Sequence, residues 1–200
     1  LSDGGNNFDS SGDGGAVSIT SAAAATLTDS DTLDLGTVDI SGDLDITVST
    51  GDLTDSGEVN VGGNATFTMN DGTAADITLN DNGDATYVNT FSGTVGFSGT
   101  NLRNLTFTDD TDLDIQGVTL SGNLSVITDG DTSDGAITDS GGIVVDGTAS
   151  FDAGTAAITL DEAGNDFDAD DNGSSVEASS TGAAVEIRNG TGVLTIGASG

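Results

Sequence analysis

The chain has 200 residues, 34 of them acidic and two basic, for a formal net charge of −32, and it contains no His, Cys or Lys. A surface of this sign excludes nucleic acid, whose binding rests on Lys and Arg neutralising phosphates, and it repels anionic membranes. Without Cys there is no disulfide framework, and without His or Lys the commonest bases, nucleophiles and Schiff-base formers are missing, so catalysis is not expected.

Read along the chain, apolar residues recur in pairs two positions apart. Val17/Ile19, Leu33/Leu35, Val38/Ile40, Leu44/Ile46, Val59/Val61, Ile77/Leu79 and Val95/Phe97 come first. Leu113/Ile115, Val118/Leu120, Leu124/Val126, Ile143/Val145, Ile158/Leu160, Val185/Ile187 and Leu194/Ile196 follow. Alternation at period two predicts strands with one buried face, and no stretch sustains a helical period. High charge and few aromatics would suit a disordered chain, but this regular patterning argues for an ordered, all-β one. Gly, Asp, Asn and Ser separate the runs, and Pro, which cannot donate to a ladder, is absent. The longest run of small residues, Ala22 to Ala25, is far short of membrane-spanning length, so no membrane insertion is expected.

The chain also repeats itself. The run from Thr32 to Ile46 returns as Asp112 to Val126, and Thr54-Asp55-Ser56-Gly57 returns as Thr138-Asp139-Ser140-Gly141. Ala65-Thr66-Phe67 answers to Ala149-Ser150-Phe151. The period of about 80 residues gives copies at 17–96 and 97–178 with partial copies at both ends. It divides into about four turns of about twenty residues, the mark of a solenoid. The expected fold is therefore a parallel β-helix over 1–200, one continuous segment of about ten turns, right-handed by the usual crossover rule. Val, Ile and Leu are expected inside with Phe67, Phe107, Phe151 and Phe167 as larger fillers, and Thr, Ser, Asp and Asn outside, where Asn can form ladders between turns. Leu1 to Phe8 aligns with Leu160 to Phe167, and Val193 to Gly197 with Thr32 to Gly36, so an internal slice of a longer repeat protein is expected.

Two shared elements, SGxLxI/V (Ser41 to Ile46; Ser121 to Val126) and TDSGx[VI]xVxGxAxF (Thr54 to Phe67; Thr138 to Phe151), carry a resemblance. With Ala75 to Leu79, Ala156 to Leu160 and Gly164 to Phe167, they make the chain similar to the β-strand repeats of filamentous-haemagglutinin-like and autotransporter-like bacterial surface exoproteins. The resemblance implies a right-handed parallel β-helix, export across an outer membrane, and a stalk or adhesive role.

Few residues suggest chemistry. Asp168-Ala169-Asp170-Asp171-Asn172-Gly173 fits the first half of a calcium loop, in which Asp168, Asp170 and Asn172 would supply hard oxygen ligands. Ser179 stands where a bidentate acid belongs, and the alternative is a polar turn. The equivalent stretch Asp9 to Asp13 has fewer acids, and Asp129, Asp131 and Asp134 form a second candidate. Asn-x-Ser/Thr sequons occur at Asn64, Asn104, Asn123, Asn172 and Asn189, and the two cations, Arg103 and Arg188, are expected to pair with neighbouring acids. Thr86 to Phe91 departs most from the repeat.

The leading expectation is a structural stalk or fibre segment of a secreted or cell-surface bacterial protein, its partners neighbouring copies or repeats of the same chain. The alternatives are an adhesin that binds a glycan or cell surface, and a calcium-dependent matrix or surface-layer component.

Overall fold

The structure, a computed structural model, describes residues 6–8, 15–70, 72–80, 88–129 and 134–190. Twenty strands and no helix occur among them. The first ten are β1 (Val17–Ala22), β2 (Ala25–Asp29), β3 (Leu33–Ile40), β4 (Leu44–Val48), β5 (Leu53–Asp55), β6 (Val59–Val61), β7 (Ala65–Met69), β8 (Ala75–Leu79), β9 (Thr90–Phe91) and β10 (Thr94–Gly99). After them come β11 (Leu102–Thr108), β12 (Leu113–Ile115), β13 (Val118–Leu120), β14 (Leu124–Ile127), β15 (Ile137–Asp139), β16 (Ile143–Val145), β17 (Ala149–Asp152), β18 (Ile158–Leu160), β19 (Val176–Ser179) and β20 (Val185–Ile187).

Every pairing between named strands is parallel, each strand lying against its counterpart one turn away. One face is an eight-stranded sheet in the order β2-β4-β7-β10-β12-β15-β18-β20. A second runs β19-β17-β14-β11-β8-β5-β3, and the long strand β3 carries β1 on one side and bends round the corner to pair with β6, which leads to β9. In the second half the corresponding third side is the pair β13-β16. The chain is a parallel β-helix, as its period-two patterning predicts.

The turns differ in length. Among the described residues the ladder from β2 to β20 has eight strands. Its steps vary: Ala25 lies opposite Leu44, 19 residues on, whereas Ala65 lies opposite Val95, 30 on, and Ile158 opposite Val185, 27 on. Strand length is set by packing, while the corners absorb insertions, so turns need not be equal.

Inward residues form one continuous apolar column. Leu53, Ile77, Leu105, Leu124, Ala149 and Val176 stack in register along one face and are buried. The expected aromatic fillers Phe67, Phe107, Phe151 and Phe167 are all buried. Phe91 and Phe97 join the first two: Phe67 stacks on Phe97 at 5.6 Å between centroids, and Phe91 tilts against Phe107 at 4.9 Å. Phe151 meets Phe167 edge-on at 5.9 Å. Of the predicted inward pairs, Val185 departs, with 44% of its surface exposed, and Leu194/Ile196 lie outside the described residues.

Candidate functional site

Where the chain turns into a strand the β ladder is incomplete, and a main-chain N–H lacks a ladder partner, a group that must be satisfied if covered. Asp and Asn supply the acceptor. Asp52 Oδ1 accepts from the Asp76 N–H at 2.8 Å, Asp76 Oδ1 from Asn104 N–H at 3.1 Å, Asn104 Oδ1 from Asn123 N–H at 2.9 Å, and Asn123 Oδ1 from Thr148 N–H at 2.9 Å. Another corner repeats the device, with Asp43 Oδ1 accepting from Asn64 N–H at 2.9 Å and Asn64 Oδ1 from Thr94 N–H at 3.0 Å. The variable position of SGxLxI/V is therefore a rung of such a ladder, filled by Asp43 in one copy and Asn123 in the other. The side chain stands in for a main-chain carbonyl, which short Asp and Asn side chains do well.

The TDSG element makes a different corner, one that sequence reasoning placed outside. Asp55 and Asp139 are buried, as are Asn89 and Asn165 from the next turn. Asn89 Nδ2 donates to Asp55 Oδ2 at 2.7 Å while its Oδ1 accepts the Val59 N–H at 2.8 Å. The second copy matches: Asn165 Nδ2 donates to Asp139 Oδ2 at 2.6 Å, and Asn165 Oδ1 accepts the Ile143 N–H at 2.8 Å. Each carboxylate also takes a main-chain N–H, Asn80 for Asp55 at 2.9 Å and Asp161 for Asp139 at 3.0 Å. Burial pushes the Asp55 carboxyl up to about 6 despite these bonds.

Asp29 and Asp109 are buried as well, correcting the outward assignment of Asp. Asp109 Oδ1 accepts from Phe91 N–H at 3.2 Å and from the Thr111 hydroxyl at 3.0 Å, while Oδ2 has no partner among the described residues. Burial pushes this carboxyl up to about 7, and neighbouring Asp110 adds to the rise.

Outward side chains fall in register too. On the β3–β19 face, Asp34, Thr54, Thr78, Thr106, Ser125, Ser150 and Glu177 follow one another along the axis. On the other, Thr28, Thr47, Thr68 and Ser98 do so, and the last two hydroxyls hydrogen-bond at 3.1 Å. The result is a hydrated, rigid, largely hydroxyl-bearing exterior between acidic corners.

The predicted calcium loop takes a self-contained shape. Asp168 accepts the N–H groups of Gly173 and Ser174, each at 3.1 Å, and Asp170 Oδ2 accepts from Asn172 Nδ2 at 2.6 Å. Asp171 and Gly173 have φ of 55° and 91°, giving the tight bend. Among the described residues no group of three or more acids is placed to hold a metal ion. Asp134 accepts from the Thr155 N–H at 2.7 Å and from its hydroxyl, bonds that hold its carboxyl low. Asp131, the stretch Asp9 to Asp13, and Thr86-Tyr87 lie outside the described residues.

Arg103 pairs with an acid as expected, bidentate to Asp76 at 2.9 and 2.5 Å, which lowers the Asp76 carboxyl. Arg188 instead reaches the main-chain carbonyl of Asp161 at 3.4 Å. Sequon residues Asn64, Asn104 and Asn123 are rungs of the corner ladders, and Asn189 Oδ1 accepts the Phe167 N–H at 3.1 Å. Asn89 and Phe91, in the stretch that departs from the repeat, are core and corner groups.

A family model described as repeats of unknown function (DUF5649) matches the chain twice, over residues 21–98 and 102–172. The two stretches overlie the internal copies at 17–96 and 97–178. No curated protein and no solved structure matches. The chain belongs to this repeat family.

Proposed function

For a repeat chain whose turns stack into a parallel β-helix, we propose a mechanical role: a stalk or fibre segment of a secreted or cell-surface bacterial repeat protein. The observation that carries this reading is the unbroken run of side chains from Asp52 to Asn123, each accepting a main-chain N–H from the turn after it, up to that of Thr148. Ladder bonds along the faces and side-chain bonds at the corners tie every turn to its neighbours, which resists bending and shear. The acidic, hydroxylated exterior keeps such rods hydrated and apart. The lack of His, Cys and Lys supports a non-catalytic role, and the resemblance to surface exoprotein repeats supports the location.

Immunogold labelling of intact source cells, followed by negative-stain imaging of the labelled material, tests the proposal. Labelled rods or filaments on unpermeabilised cells are expected. Label confined to permeabilised cells, or compact particles without an axis, would overturn it.

A further inference from the structure

The same sequence element is closed in one copy and open in the other. In the first copy Leu33 to Val38 lies within the single strand β3, which pairs with β1 from Val17 opposite Leu35 to Ala22 opposite Ile40 and absorbs a register shift at Gly36 and Thr37 without breaking. Its counterpart, Leu113 to Val118, is split into β12 and β13 by Gln116 and Gly117, the latter at φ +126°. Beneath it, β10 pairs with β12 at Thr94 and Val95, the Phe97 N–H reaches the Gly117 carbonyl at 3.3 Å, and the ladder on that side ends. On its other side β10 stays paired with β7 as far as Gly99.

Where the two turns part, a cleft of about 380 Å³ opens, lined among others by Phe97, Ser98, Gly99, Gln116, Gly117 and Thr119. That volume lies in the ~300–1,000 Å³ range of small-ligand sites. Its lining contains no acid, in a chain with 34 of them. The surrounding field repels anions, and an uncharged wall gives a cation nothing to pair with, so the fitting ligand is neutral. The cleft presents two hydroxyls, one carboxamide and glycine-bordered main chain, with the Phe97 ring 5% exposed beside them. Such a lining suits a ligand rich in hydroxyl groups.

The residue at the split differs between the copies. At Gly36, the position equivalent to Gln116, a Cβ would meet Ser18 Oγ and lie 3.2 Å from Ala16 Cβ, so a side chain there would have to displace the exposed Ser18 hydroxyl. Gln116 is the one Gln in the chain. Both walls are anchored, β10 on β7 and β13 on β16, so the cleft is pre-organised and binding orders little. We propose that this cleft binds a short neutral saccharide, with Gln116, Ser98 and Thr119 as its side-chain hydrogen-bonding groups. The proposal goes beyond the mechanical reading and does not depend on it.

Saturation-transfer NMR on the full chain with maltotriose, cellotriose and chitotriose, extended to a printed panel of neutral glycans, tests it; trigalacturonate is the anionic control. At least one neutral glycan is expected to bind and trigalacturonate not to. Because Gln116 and Thr119 are solvent-facing, Gln116→Ala and Thr119→Ala should keep the wild-type circular dichroism and melting temperature. Each should weaken binding roughly 3–10-fold, the effect of one lost hydrogen bond. Binding by no neutral glycan, equal binding of trigalacturonate, affinity unmoved by both substitutions, or capture of an extended peptide in place of sugars would each overturn the proposal.

Discussion

At the residue scale, the buried amides have only one workable orientation. Asn165 Oδ1 is committed to the Ile143 N–H, so its Nδ2 must face Asp139, and Asp139 must accept. Asp139→Asn turns an amide donor toward Asn165 Nδ2 or removes the acceptor of the Asp161 N–H; either leaves a buried group unsatisfied. A loss of about 1–3 kcal/mol is expected, read from urea denaturation, with the same result for Asp55→Asn. An effect below a few tenths of a kcal/mol would mean the corner opens to water. The raised carboxyls set a pH dependence. A carboxyl held above its ordinary 3.8 in the folded state contributes stability that is full below that value and lost as pH rises through the folded one. For Asp55 this means a loss that runs from about pH 3.8 to about pH 6, and for Asp109 one that runs from about pH 3.8 to about pH 7, each complete above its upper limit. At ~1.4 kcal/mol per unit, each amounts to a few kcal/mol at most. Melting temperature should therefore fall from about pH 4 to about pH 7 and level off above it. Asp109→Asn, which keeps the Oδ1 acceptor and cannot ionise, should flatten the upper half of that fall, and a slope unchanged in this variant would assign it to other groups.

At the scale of elements, glycine fixes how closely turns approach. Gly141 follows Ser140, whose N–H bonds to Ile115 O one turn back at 3.0 Å, and a Cβ on Gly141 would overlap the Gln116 carbonyl oxygen. Gly57 faces the first-copy equivalent, with a Cβ there 2.8 Å from the Gly36 carbonyl carbon. Gly141→Ala should thus force neighbouring turns apart and cost about 1–3 kcal/mol, whereas Gly173→Ala, with open space around it, should lose only the strain of its positive φ. A Gly141→Ala melt indistinguishable from wild type would refute this tight stacking. The strands themselves were legible, because burial on one face of a parallel sheet imposes period two, and Leu33/Leu35, Ile77/Leu79 and Ile143/Val145 all lie inside. Corners were legible only as turns. Nothing in TDSG tells that its Asp points inward until Asn89 and Asn165 are placed above it, a relation spanning 34 and 26 residues. Equal turns of twenty were a poor guide for the same reason, since corner insertions leave the strands untouched. The cleft was hidden because it comes from a ladder that stops. Its one sequence signal is Gln116 standing where the first copy has Gly36.

At the scale of the whole molecule, a −32 charge wound on a stack of turns makes electrostatics one-dimensional. The paired strands set each acid opposite Thr, Ser, Asn or an apolar residue rather than another acid, as at Asp34/Thr54, Asp45/Thr66 and Asp114/Thr138. With turns only about 4.8 Å apart, however, the remaining repulsion between neighbouring turns acts over a distance comparable to the ~8 Å screening length of physiological salt. Each turn touches only the next, so stability is a sum of neighbour terms, and a repulsion present at every interface accumulates along the stack. The Arg103–Asp76 pair, partly exposed, offsets little of it. Added salt should therefore raise the melting temperature steadily. Calcium and magnesium should act alike at equal ionic strength, because the carboxylates of Asp168 and Asp170 already accept hydrogen bonds within their own turn and no third acid converges on them among the described residues. Melts in sodium, magnesium and calcium chlorides, with and without chelator, decide the matter. A rise produced by micromolar calcium and not by magnesium would mean that the 168–173 turn gives up its internal bonds to a specific ion. The chain's acidity would then be partly a ligand set rather than only a solvated surface.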